Sequence, residues 1–133
     1  MAAAHTVKGD GFEVRLHWDR DVLIARVEGP HDSFEISLAY WKVIADERKR
    51  RDAKRLLVIE NLRDTAEPEL AVELFEDIVK LGFEGVRVAF VDNVDSHRSI
   101  QEYVALLARE RNIVAAIFSD ENQAMTWLRH GEE

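Results

Sequence analysis

Arg55-Leu56-Leu57-Val58-Ile59-Glu60-Asn61 decides the fold. Four consecutive apolar residues, two of them β-branched, stand between basic residues on one side and Glu60-Asn61 on the other, the pattern of a short strand covered on both faces. Such a strand belongs at the centre of a parallel sheet. Open α/β sheets collect their binding chemistry where a strand ends and the following helix begins, which directs the search for function to Glu60 through Leu70. That segment supplies helix-capping residue types and no recognisable catalytic set.

Downstream, Asp64 or Thr65 is suited to cap a helix, and Pro68 fits its first turn, where a missing N–H costs little. Leu70, Ala71, Leu74, Phe75, Ile78 and Leu81 share one face, and Gly82 closes the helix. Val86 to Val91 reads as the next strand. Asp95 and Ser96 offer caps for a helix built on Ile100, Tyr103, Val104 and Leu107, and Ile113 to Phe118 is an apolar strand. Ser119-Asp120-Glu121 then opens a last helix with Ala124, Trp127 and Leu128 turned inward, its acidic first turn suiting the helix dipole.

Upstream, residues 1 to about 10 read as a loose lead-in. Phe12, Val14, Leu16 and Trp18 alternate with Glu13, Arg15 and His17, the period of a half-solvated strand. Asp19-Arg20-Asp21 turns the chain into Val22 to Glu28, a connection short enough to require an antiparallel hairpin. Asp32, followed three places later by Glu35, reads as an N-cap with its capping-box partner. The helix it opens carries the stripe Phe34, Leu38, Trp41 and Ala45 toward the sheet. Ile36, Tyr40 and Val43 form a second apolar strip on its flank, the expected interaction surface of a two-fold dimer. The element order β-β-α-β-α-β-α-β-α predicts a single α/β domain with a mixed five-stranded sheet: an antiparallel N-terminal hairpin, then strands two to five parallel with packed helices.

A chain of 133 residues is long enough to bury a core without staples. It has no cysteine, which excludes disulfides, thiolate metal sites and cysteine nucleophiles. The net charge of −8 repels phosphate backbones, so nucleic acid is not expected as a partner. No apolar run approaches the roughly 20 residues that span a bilayer, so no membrane insertion is expected. The N-terminus lacks a basic region followed by an apolar one, and a cytoplasmic location is the expectation.

From Phe12 to Leu128 the order of elements resembles a STAS domain, the fold of anti-sigma factor antagonists and of the cytoplasmic tails of sulphate transporters. Three stretches carry the resemblance: Arg55 to Leu62, the helix that follows its polar turn, and Ile117 to Leu128 with its Ala124-x-x-Trp127-Leu128 ending. In antagonist-type members a phosphorylatable Ser or Thr stands in an Asp-Ser-x-Gly-like turn after the central strand. Here that turn reads Asp64-Thr65-Ala66-Glu67-Pro68-Glu69-Leu70, so Asp64 and Thr65 are the candidate switch turn and phosphosite. The turn has no glycine, and alignment on Leu70 brings Pro68 near the phosphorylated position. The resemblance is therefore to divergent single-domain members that lack the switch.

Glu60, Asp64, Asp92, Asp95, Asp120 and Asp32 fall at strand ends or helix starts, where an acidic rim can hold Mg²⁺ through oxygen ligands. Asp and Ser are also the preferred helix caps, one per helix, and capping is the favoured reading of this rim and of Ser33, Ser96 and Ser119. His31 and His97 lack a metal-ligand spacing and read as exposed loop histidines. Arg48 to Arg51, with Lys54 and Arg55, reads as a solvated helix end. Gly82-Phe83-Glu84-Gly85 reads as a helix stop and turn. No catalytic, cofactor-binding or metal-ligating set emerges, so the expectation is a non-enzymatic module without cofactor that contacts another protein, as a homodimer. The alternative is a small-molecule or lipid-binding module, because STAS-like folds resemble the lipid-transfer CRAL-TRIO fold.

Overall fold

The computed structural model describes residues 4–64, 66–92, 94 and 97–131. Six strands lie in one sheet in the order in which the chain makes them: β1 Ala4–Gly9, β2 Phe12–Asp19, β3 Val22–Glu28, β4 Arg55–Asn61, β5 Arg87–Val91 and β6 Val114–Phe118. β1, β2 and β3 pair antiparallel, and β3 to β6 pair parallel. The α/β class and the parallel block match the expectation, whereas the sheet has six strands instead of five.

The added strand is the expected lead-in. Asp10-Gly11 between two extended runs is a tight-hairpin signal, and Gly11 takes it up at a φ of 88°. Lys8 then pairs with Glu13 and Gly9 with Phe12. A Cβ on Gly9 would stand 2.2 Å from the Phe12 ring, so the ring of β2 packs where β1 has no side chain. β1 is mostly exposed, which is why composition alone reads it as loose.

Four helices cover the sheet: α1 Phe34–Arg51, α2 Ala71–Val79 after a 3-10 turn at Pro68–Leu70, α3 Arg98–Arg109 and α4 Glu121–His130. The crossovers through α1, α2 and α3 all advance the sheet in one direction, and crossovers of one hand then put their helices on one face. Leu23, Ala25, Leu56, Val58, Val88 and their strand-alternate neighbours face that layer. α4 packs on the opposite face against Val22, Ile24, Leu57, Ala89 and Val91, and Ala124 and Leu128 are turned inward as expected.

α1 departs from its predicted orientation. Its buried residues are Ser37, Tyr40, Ile44, Ala45, Glu47 and Arg48. Tyr40 is 1% exposed and inside the core, while Ile36 and Val43 pack partly buried against it, so the strip expected to form a dimer surface lies largely within the fold. Burial of the phenol is tolerated because its O–H has a partner. The N-cap is Ser33, whose Oγ accepts the Ile36 N–H at 3.1 Å, not Asp32.

The expected solvated basic end of α1 is also partly internal. Arg48 is buried and donates to the Ala53 carbonyl at 2.9 Å and the Gly82 carbonyl at 2.8 Å, tying the ends of α1 and α2 together. Arg51 stacks over Trp18 at 4.7 Å. Gly82, with a φ of 96°, stops α2 as expected.

Candidate functional site

Strand alternation sets the chemistry. Leu56, Val58 and Glu60 share a face of β4, and Val88, Phe90 and Asp92 share the same face of β5 and its end. Since Ile59 pairs with Val91, Glu60 and Asp92 come next to each other at the C-terminal edge, under the α1–α3 layer. Both carboxyls are buried, at 8% and 3% exposure. Neither is a helix cap.

Each has a defined set of partners. The Tyr40 hydroxyl donates to Glu60 Oε2 at 2.6 Å. Asp92 Oδ2 accepts from Gln101 Nε2 at 2.7 Å and lies 2.8 Å from His97 Nδ1, while Oδ1 accepts the Val94 N–H at 2.9 Å. An ionised Asp92 can only accept, so Nδ1 is the protonated nitrogen of His97. Asp32, in the β3–α1 loop, accepts the Ser33 N–H at 2.7 Å and the Ser37 hydroxyl at 2.8 Å.

Burial pushes the Glu60 carboxyl well above its usual range, and the charges of Asp32 and Asp92 add to this while the Tyr40 bond opposes it. Asp32 is raised by burial as well, moderated by Ser37 and Ser33. Asp92 behaves oppositely. Its burial favours the neutral form, but His97, the Val94 N–H, Gln101 and Glu60 together outweigh burial and hold it below the usual carboxylate range. Tyr40 is pushed well up, by burial first and then by the charges of Glu60 and Asp32, and stays a donor. Of the three carboxyls, Glu60 is the one whose surroundings favour the neutral form most strongly.

Glu60, Asp92 and His97 each offer a ligand atom within 4.8 Å of the others, close enough to share a divalent cation. Each of the three also has a hydrogen-bond partner within the protein, Tyr40 for Glu60 and each other for Asp92 and His97.

Glu60 of this cluster stands in the lining of a mainly apolar cavity of about 180 Å³ that is partly open to solvent. Leu74, Phe75 and Ile78 of α2 and Ile100 and Val104 of α3 form its roof, and Val88, Phe90, Ala115 and Ile117 form its floor. The cavity exists because α2 lies against α1 and α3 but makes no comparable approach to any strand. Trp41 and Phe83, in edge-to-face contact at 5.5 Å, stand in its wall. Asp32, Ser37, Tyr40, Glu60, Glu67 and Gln101 supply its polar lining, and no Lys, Arg or His is among the described lining residues.

The other candidate residues are scattered. Asp64 is exposed and caps no helix. It accepts the Asp32 N–H at 2.6 Å and lies 3.2 Å from His31, and these partners, the backbone bond first, lower its pKa. Glu67 accepts the Phe34 N–H at 2.9 Å, so the segment after β4 caps α1 instead of α2. Thr65, Asp95 and Ser96 lie outside the described residues. Asp120 is the expected cap of α4, accepting the Asn122 N–H at 2.8 Å. His31 is exposed as expected, whereas His97, expected in an exposed loop, is 5% exposed. The period-two placement of Glu60 and Asp92 on apolar faces was the available signal for the cluster. No protein-family model matches the chain, and no curated protein matches it in sequence.

Proposed function

We propose that this is a non-enzymatic, STAS-like binding module that holds a small, mainly apolar molecule in the cavity under α2. The cavity carries the reading. A ligand that occupies its roughly 180 Å³ takes apolar surface of Leu74, Ile78, Ile100 and Val104 out of water and stabilises the fold by mass action. The size is close to the ~150 Å³ apolar cavity that admits benzene. A perturbed carboxyl at the end of an apolar pocket is a common mark of a binding site. Binding is favoured over catalysis because the Ser37 and Tyr40 hydroxyls are held by Asp32 and Glu60, and no histidine or lysine stands among the described lining residues to activate them.

Titration of the Trp41 fluorescence with 2-phenylethanol tests the proposal directly, with saturable quenching or enhancement expected. Ala115→Leu should fill the floor of the cavity, raise stability by about 0.5 to 2 kcal/mol and abolish that response. A wild-type protein that gives no saturable response would sink the reading.

Protein contact is the second reading. Its support is three exposed apolar side chains on the helices that roof the cavity: Val72 on α2 and Tyr103 and Leu106 on α3, at 46%, 49% and 65% exposure.

A further inference from the structure

We infer that the cavity selects a ligand with a cationic head, a primary amine on a compact apolar body, and discriminates against carboxylates, phosphates and other anionic amphiphiles. The inference rests on the binding reading above and assigns the chemistry of the head group.

Charge complementarity carries the argument. Asp32, Glu60 and Glu67 line the polar end, and Asp92 stands directly behind Glu60. The described lining contains no opposing cation. His97 lies beside Glu60 and Asp92, with its Nδ1 engaged on Asp92. An anionic head in this space would meet carboxyl groups in surroundings where like charges are poorly screened and no guanidinium or ammonium compensates. An ammonium instead finds the carboxyl groups of Asp32, Glu60 and Glu67. Its three N–H groups match a site whose lining is rich in acceptors.

Gln101 gives an independent indication. The amide lies on the cavity lining, and its Nε2 is fixed as the donor to Asp92. The opposite orientation would set an amide oxygen against an ionised carboxylate. Its Oε1 is consequently an acceptor, and it is buried without a hydrogen-bond partner. A buried acceptor left unmade is costly, and because Gln101 stands in the lining, a turn of its side chain toward a ligand's donor would satisfy it. The Tyr40 hydroxyl does not compete for this role, because it already donates to Glu60.

Three probes that share a phenethyl body separate it from the head group: 2-phenylethylamine, 2-phenylethanol and 3-phenylpropanoate, titrated calorimetrically into the full chain at neutral pH. The amine should bind about tenfold or more tightly than the alcohol, and the carboxylate about tenfold or more weakly, each step being one decade of the dissociation constant. Glu60→Gln, which keeps the shape and removes the ionisable group, should bring the ratio of amine to alcohol affinity down toward one. Equal binding of amine and alcohol, or tighter binding of the carboxylate, overturns the head-group inference and leaves the cavity reading intact. Failure of all three probes to bind overturns both. Loss of alcohol binding in the Glu60→Gln protein, with its circular dichroism unchanged, also overturns the inference, because Glu60 would then act on the body of the ligand.

Discussion

The two faces of the sheet are built differently. Under α4, Ala89, Ala124 and Leu128 are at most 1% exposed, and small side chains let one short helix seat directly on β4, β5 and β6. Opposite, three helices cover the longer face, yet α2 rests on its neighbouring helices and leaves a cavity above β5 and β6. The first face supports the fold with little area. The second has more covering material than close contact, and it is where the buried carboxyls collect. The difference shows that coverage and packing are separate quantities, and that a gap between them can host a ligand.

The sharpest test of the comparison is a pair of truncations. Leu128→Ala removes a side chain that is 1% exposed from the close-packed face and should cost about 2 to 5 kcal/mol in urea denaturation. Ile78→Ala, on the cavity roof, enlarges a space already present and should lose only the transfer term, about 1 to 1.5 kcal/mol. Equal costs would erase the distinction.

A smaller effect depends on pH. Glu60 has a folded pKa raised above its unfolded value of about 4.5, so the native state binds this proton more tightly. Its stabilising effect is complete below about pH 4.5 and is lost as the pH rises through the folded value. Glu60→Gln has no such loss. Its stability advantage over the unmutated chain should be small near that pH and grow by up to about 1.4 kcal/mol per pH unit above it. Asp32 shifts in the same direction, whereas the lowered Asp92 acts below its ordinary value of 3.8 and stays outside this window. An advantage that shrinks with rising pH would show that Glu60 is charged in the folded protein.

The smallest effect belongs to the α4 face. Arg26 on β3 makes two bonds to Glu121, at 2.9 and 3.1 Å, but both side chains are more than a third exposed. Arg26→Ala should therefore cost under about 1 kcal/mol and less in high salt. A larger, salt-independent loss would mean that α4 is held by its first turn more than by Leu128.

Much of the layering was legible in the sequence. The apolar run at Arg55 to Asn61, the alternation in β2 and the spacing of Ala124 and Leu128 each name their element and its inner face. α1 was misjudged for a physical reason: its buried face includes Ser37, Glu47 and Arg48, which a helical wheel assigns to solvent. They are inside because distant segments satisfy them: Asp32 for Ser37, the Trp18 indole at 2.9 Å for Glu47, and the Ala53 and Gly82 carbonyls for Arg48. His97 was missed likewise, since its burial depends on Asp92 holding its ring nitrogen. The cavity had no signature at all. A wheel counts apolar residues on α2, but not whether the surface opposite touches them.

The strand order has a consequence for how the molecule is made. Every strand after the first pairs with the one synthesised just before it, so the growing sheet always presents a finished edge to the next arrival, and loop closure stays short. The α1–α3 face is covered step by step along the way. The opposite face has no such protection: Leu57, Ala89 and Val91 stay bare until α4, made after all six strands, folds back over them. During synthesis this apolar strip is the part of the chain that a chaperone would find.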